Sequence, residues 1–405
     1  MHANTVVRAL RDAGFDAYLV GGCVRDLLLN AVPKDFDVAT SATPEQVKSV
    51  FRRARLVGRR FRIAHVRFRN EIIEVSTFRR HQDIDEGKGI RLSHRSEEGV
   101  ILRDNAYGTI EEDAFRRDFT INALYYDPID DLLMDFTQGL VDIESQTLKL
   151  IGDPLSRFRE DPVRILRAIR FAAKLNFKID TPTAEAIEPM SELLTAIPPA
   201  RLFDEFNKLF MNGNALAAWG LMWDYGLPEI LFPISREDDS LVTAALKSTD
   251  NRVSEEKPVT PGFLLAAFCW PEYQRRSAES ATMQNAADER LKAAHAVINE
   301  QQLTIAFPRR FSMFVRDVWN LQNRLERGSQ RNLSRTLGHP RFRAAYDFLV
   351  LRAETGEADE KVATWWTDIQ AVDGDTTSPK NQGVKPRKRR RRRRNRNSGK
   401  AEEAS

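Results

Sequence analysis

The sequence predicts an α+β protein: an N-terminal head with a small mixed or antiparallel sheet, then an all-helical neck and body, then a disordered basic tail. Three observations predict it. Residues 1–150 alternate short apolar runs of strand character with glycine turns and capped helix starts. From Gly152 onward apolar residues recur at helical spacing in segment after segment. In residues 380–405 twelve Lys/Arg face only Glu402 and Glu403, a net +10 in a chain whose total is +4. The first 379 residues therefore stand at −6, and the basic character belongs to the tail. A stretch so charged cannot bury a core. These changes of pattern divide the chain into residues 1–150, 151–232, 233–372 and 373–405.

A chain of 405 residues has room for two or three domains and a sizeable core. Its best apolar run, residues 263–270, is far short of the ~20 residues a membrane span needs. Arg8, Arg11 and Asp12 inside the first apolar segment argue against a signal peptide. Cys23 and Cys269 have no metal spacing and no disulfide framework, as in a reducing compartment. The expectation is a cytoplasmic protein without an integral membrane segment. The six histidines form no HxxxH and no His-Asp doublet, and Cys23 has no histidine or second thiol to activate it.

In order, residues 4–13 read as a helix capped by Asn4 and stopped by Gly14, and residues 16–20 as the first strand. Gly21-Gly22 follow, and residues 24–29 read as a helix. Strand, glycine turn and helix N-terminus make a phosphate cradle, because free N–H groups point outward there. Asp35 and Asp37 stand in the next β-like run, where positions i and i+2 face the same way. Paired carboxylates repel unless a cation sits between them, and hard oxygen ligands suit Mg²⁺. A phosphate cradle beside a divalent-metal site points to nucleotide chemistry.

Thr43-Pro44-Glu45-Gln46 is a helix start with a capping box. Residues 63–68 and 72–78 read as antiparallel strands joined at Asn70. Glu74 alternates with Ile73 and Val75, so it faces away from the core, as a third carboxylate of the site or as a surface glutamate. Residues 81–100 are polar and read as a mobile loop near the site. Thr109 caps a helix over 109–117, and Asp118, Thr120 and Asn122 cluster in an apolar stretch, which marks a candidate site. Asp161 and Arg164 are i and i+3 on one predicted helix face, either a solvated ion pair or a nucleotide-reading pair. Residues 184–197, 200–211 and 215–225 read as helices, and 235–258 as polar with a surface loop. The basic run (Lys385, Arg387, Lys388, Arg389, Arg390, Arg391, Arg392, Arg393, Arg394 and Arg396) reads as a solubility or targeting tail, or as a contact for a polyanion such as RNA.

GGCVRDLLLNAVPKDFDVAT, residues 21–40, resembles the head signature of one branch of the polymerase β superfamily. That branch holds bacterial poly(A) polymerases and tRNA CCA-adding enzymes. RRDFTINAL, EDPVRILRAIRF and ARLFDEFNKL resemble its second motif, its base-recognition motif and a later neck helix. The likeness covers roughly residues 16–231, and the helical remainder more loosely. LVGRRFRIAHVRF, ILRDNAYGTIEEDAFRRDFTINALYY and the arginine-rich end resemble the poly(A) polymerase side of the family. One departure is that the chain begins close to its first strand, without the longer lead usual in such polymerases.

The resemblance implies a nucleotidyltransferase head and polynucleotide adenylyltransferase activity. AMP would pass from ATP to RNA 3′ ends, marking them for decay and bringing contacts with RNA-decay machinery. It implies two Mg²⁺ ions, with Mn²⁺ as an alternative, on Asp35 and Asp37, with Glu74 as the third carboxylate. Gly21, Gly22 and Arg25 would border the triphosphate, Arg117 and Asp118 would lie near the sugar and the catalytic centre with Asp118 as a further catalytic carboxylate, and Asp161 and Arg164 would read the adenine edge. A CCA-adding enzyme is the near alternative. A non-catalytic RNA-binding protein is the distant one, and intact Asp35 and Asp37 argue against it.

Overall fold

The computed structural model describes residues 2–58, 62–80, 93–95, 101–104, 107–279, 286–328 and 333–376. The basic tail residues 385–396 expected to contact RNA lie outside the described residues.

The head is built on one mixed sheet of seven strands. Those strands are β1 (Ala17–Val20), β2 (Asp37–Thr40), β3 (Arg55–Val57), β4 (Ile63–Arg67) and β5 (Ile72–Thr77), followed, beyond a separate ribbon, by β8 (Leu124–Asp127) and β9 (Leu132–Asp135). Their order is β3-β4-β5-β2-β1-β8-β9, with β2 and β5 parallel and every other neighbour antiparallel. The ribbon is β6 (Ser93–Arg95) against β7 (Ile101–Asp104). It corrects part of the expected loop over 81–100, whose remainder lies outside the described residues.

Period-two alternation gives the sheet two faces. Val38, Ala64, Ile73 and Val75 point into the main core with α1 (His2–Asp12) and α3 (Pro44–Val50). Val20, Ala39 and Tyr125 point the other way and pack with Ala114 of α4 (Ile110–Arg116) and Ile151. The capping boxes read from Thr43 and Thr109 both form: each hydroxyl accepts from the N–H three residues on, and the Gln46 or Glu112 side chain accepts in return. Short α2 (Gly22–Leu28) follows the glycine pair. After β9 comes α5 (Gly139–Glu144), and then β10 (Thr147–Leu148), which pairs with β11 (Lys178–Ile179).

Between β10 and β11 lie α6 (Pro154–Glu160) and α7 (Val163–Leu175), the start of the neck. Past β11 the chain is helical, around aromatic rings such as Phe206, Phe210, Trp219, Phe232 and Phe268, the last two stacked at 4.2 Å. Two expectations are corrected here. Residues 184–197 are not one helix but Thr181–Glu185, Ile187–Met190 and a 3₁₀ turn over Ser191–Ala196, in a stretch where Pro189 lacks a backbone donor. Residues 235–258 are mostly the helix Asp239–Ser254, which buries Leu241, Val242, Ala245 and Leu246. That narrow stripe was masked by the polar residues around it.

Candidate active site

Strand register assembles the acidic centre. On the face opposite the main core, Asp37 lies beside Glu74 of parallel β5, and Glu74 lies opposite His65 of β4. His65 Nε2 is 3.2 Å from Glu74 Oε1. Asp35 is exposed, two residues before Asp37 and just ahead of β2 rather than within it. Burial, then the charges of Glu74 and Asp35, push the Asp37 carboxyl up to about 6, against the pull of Arg117. Hard oxygen donors that raise the cost of ionising Asp37 suit a divalent cation. Among the described residues no group of three His, Cys, Asp or Glu closes a cage around a metal. An Mg²⁺ ion held through one or two carboxylates takes the rest of its shell from water and phosphates. The donor set therefore fits the group that the sequence implies.

Beside the carboxylates lies the glycine turn. Gly21 has φ of 78°, a left-handed conformation that favours glycine, and its N–H donates to the Leu124 carbonyl. A Cβ there would stand 3.5 Å from Nη1 of Arg117, so the absent side chain leaves the guanidinium next to the turn. Since α2 has only seven residues, Arg117 rather than a long helix dipole supplies most of the positive charge. Arg117 donates to Asp113 Oδ2 (2.9 and 3.2 Å) and to the Tyr125 hydroxyl (3.0 Å), which itself donates to Asp113 (2.7 Å). Burial works against the charge, but Tyr125 and Asp113 hold the Arg117 pKa above its ordinary value. Sequence reasoning missed Asp113 and Tyr125. The i, i+4 spacing of Asp113 and Arg117 was the available signal.

Asp118 faces the neck. Its Oδ1 accepts from the Phe119 N–H (2.8 Å) and Asn122 (3.3 Å), and its Oδ2 accepts from Nε (2.7 Å) and Nη2 of Arg167 on α7. Burial opposes its ionisation, yet Arg167 and the other donors hold the pKa down to about 2. Arg25 is also turned to the neck. It is buried, donates to Asn122 and Asp26, and lies 5.2 Å from the centre of the Phe171 ring. It thus stands behind Gly22 rather than open to solvent, with its Nη2 3.7 Å from where a Gly22 Cβ would be.

Asp161 and Arg164 do not share a helix face as expected. Asp161 is the break between α6 and α7, at φ −149° and ψ 89°, because Pro162 excludes helical geometry from the residue before it. Its Oδ2 accepts from Arg201 at 2.7 Å, on the helix Pro199–Phe210. Arg164 opens α7 and donates through Nη1 to the Arg157 carbonyl (2.7 Å) and to Glu160 (3.1 Å). Arg201, 40 residues from Asp161, left no local signal in the sequence. The Cys23 thiol is buried and pushed up by that burial, in keeping with an inert residue.

The sequence matches the family described as "Poly A polymerase head domain" over residues 17–149. It also matches "Probable RNA and SrmB- binding site of polymerase A" over 176–238 and "Polymerase A arginine-rich C-terminus" over 280–398. A Haemophilus influenzae protein named Poly(A) polymerase I is 45% identical over 392 residues, spanning 92% of this chain and 85% of that protein. The chain belongs to the poly(A) polymerase I family. Members of this family are nucleotidyltransferases, and so is this chain. A Lactobacillus helveticus CCA-adding enzyme is 37% identical over 227 residues, covering 56% of this chain and 54% of that enzyme. In the solved "Structure of tRNA-processing enzyme with CTP" the same fold recurs at a TM-score of 0.65 and 24% identity, over 93% of both chains. Among the described residues no helix is long and apolar enough to cross a membrane.

Proposed function

We propose that the chain adds AMP from ATP to the 3′-hydroxyl of RNA, without a template and with release of pyrophosphate. The observation that carries this reading is the in-register pair Asp37 and Glu74, with Asp35 at the strand entrance and Arg117 against the glycine turn. Asp35, Asp37 and Glu74 would hold two Mg²⁺ ions, or Mn²⁺ in their place, which when bound activate a hydroxyl and neutralise phosphate charge. The Gly21 and Gly22 backbone and Arg117 bind the triphosphate, and Arg117 stabilises the charge that builds on departing pyrophosphate. Asp113 and Tyr125 orient that guanidinium. Arg25 supports the turn from behind, and Asp118 holds α7 against the head through Arg167.

Asp161 accepts from the adenine amine and Arg164 donates to a ring nitrogen. Cytosine offers a similar edge, so selection rests on how firmly Arg201 and Glu160 hold the pair, since a wrong base leaves buried polar groups unpaired. The product is a single-stranded 3′ extension, an end that RNA-decay machinery can enter.

The test is extension of an unstructured RNA with ATP, CTP, GTP or UTP supplied singly, with Mg²⁺. Long extension with ATP alone is expected. CTP addition to a tRNA lacking its end, completed by one terminal A once ATP is also supplied, with little extension of plain RNA, would replace this reading by the CCA-adding one.

A further inference from the structure

Register carries the row His65–Glu74–Asp37 outward to the sheet edge, where Arg55 of β3 lies opposite His65. Arg55, His65, Glu74 and Asp37 therefore occupy one line across four adjacent strands, on one face. At about 4.8 Å per strand, Arg55 starts about 14 Å from Asp37. The next row toward Asp35 holds Arg67, opposite Ile72. Because β3 and β4 are antiparallel, residues before Arg55 run toward residues after His65. Arg52 and Arg53, in the turn just ahead of β3, and Arg69, in the β4–β5 turn, therefore lie at the same end of the sheet as Arg55 and Arg67.

All five arginines are exposed. Nearby acids are engaged elsewhere: Glu71 by His2 (2.7 Å), Glu45 by Arg62 (2.6 Å) and Glu74 by His65. Among the described residues none of the five has an acidic partner. Charges on an edge strand also discourage strand pairing. That role asks only for charge along the edge, whereas these five collect at the end where Asp35 and Asp37 stand.

We propose that this arginine corner binds the phosphate backbone of the RNA being extended, a few nucleotides upstream of its 3′ end, and so guides the terminal hydroxyl along the His65–Glu74 row. The proposal rests on the RNA-extending reading above and adds an RNA contact on the head, apart from the matched segments 176–238 and 280–398. Charge complementarity selects the occupant. Five unpaired guanidinium groups suit a polyanion, and they neighbour a carboxylate cluster that alone would repel one.

The test uses the full-length chain and an oligoadenylate ending in 3′-deoxyadenosine, so that binding is read without chemistry. Arg52→Gln, Arg53→Gln and Arg55→Gln are combined in one variant, with the three corresponding Lys substitutions as the charge-retaining control. Each lost phosphate contact should lower the log–log salt slope by about 0.7, so three lost contacts flatten it by about 2. Between about 50 and 200 mM salt the parent should then lose about 18-fold more affinity than the Gln variant. With extendable RNA, KM for RNA should rise while kcat at saturating RNA and KM for ATP stay as in the parent. The Lys variant should restore most of the slope. A Gln variant that melts like the parent and matches its affinity and slope overturns the proposal, and leaves the polymerase reading untouched if the parent extends RNA. A Lys variant as impaired as the Gln variant also overturns it, because charge would then not be what the corner supplies. A parent that extends no RNA with any nucleotide removes the reading on which the proposal rests.

Discussion

Asp37→Asn tests the electrostatics of the acidic centre without asking for catalysis. In the metal-free protein Asp37 titrates near 6 because burial, Glu74 and Asp35 all disfavour its charge. A carboxyl that titrates at about 6 in the fold and at 3.8 outside it destabilises the fold by up to about 3 kcal/mol at neutral pH. Because the folded pKa is raised, the penalty is absent below 3.8, grows between 3.8 and about 6, and is fully present above that. Asparagine keeps the shape and drops the charge. Water reaching this half-buried side chain screens part of the repulsion, so the expected gain is about 1–3 kcal/mol. Urea unfolding in EDTA, followed through the transition that includes the head, reads it. The variant should be the more stable protein at about pH 7.5, and most of the difference should vanish near pH 4. Adding Mg²⁺ should stabilise the parent and leave the variant nearly unmoved. A variant no more stable than its parent at neutral pH, or a gap that persists at pH 4, would refute the assigned crowding of carboxylates.

Asp35→Asn and Asp37→Asn should each cut nucleotide addition by at least about 10³-fold while the fold survives, since several kcal/mol of charge stabilisation is lost; near-normal extension by a folded variant would remove the assignment. Arg167→Ala should cost about 3 kcal/mol by stranding the buried Asp118 carboxylate, and Asp118→Asn should cost about as much as that carboxylate's lowered pKa contributes. That pKa is depressed, so the contribution should be present above 3.8 and fade as pH falls toward about 2; a double-mutant cycle with no coupling at neutral pH would deny the latch. Deleting residues 385–400 should flatten the salt dependence of RNA binding while kcat at saturating RNA holds, and an unchanged slope would make the tail something other than an RNA contact.

Local chemistry was the legible part of this chain. Both capping boxes need only side chains three residues apart, and both form as read from Thr43 and Thr109. Strand alternation put Glu74 on the outward face, and the structure adds Asp37 beside it in register. Local reasoning failed where a neighbour changed the backbone, as Pro162 does when it takes Asp161 out of helical geometry. It failed again where a helix showed only a thin apolar stripe, as over Asp239–Ser254. Partners far along the chain left no trace. Arg167 reaches Asp118 across 49 residues because the neck packs on the head, and Arg201 reaches Asp161 across 40 through packing within the neck.

The same packing bears on how an acidic head can handle anionic substrates. Without residues 380–405 the chain is net negative, and its centre gathers three carboxylates at one end of a sheet. Phosphates must enter that field, so cations have to be near but must not neutralise the carboxylates proposed to hold metal. Arg117 meets this demand through Asp113 and Tyr125, which keep its guanidinium beside Gly21 rather than folded onto Asp37. Arg167 and Arg25 are occupied by Asp118, Asp26 and Asn122 and stay out of the field. The division separates their consequences. Loosening Arg117 through Tyr125→Phe should weaken triphosphate binding and raise KM for ATP, because one orienting bond to the guanidinium is lost. Loosening the neck through Arg167→Lys should instead blur the choice of base, because it moves α7, on which Arg164 lies. Single-nucleotide steady-state kinetics separate the two. A Tyr125→Phe variant that loses ATP-over-CTP preference with KM for ATP unchanged would mean that Arg117 serves the base and not the phosphates.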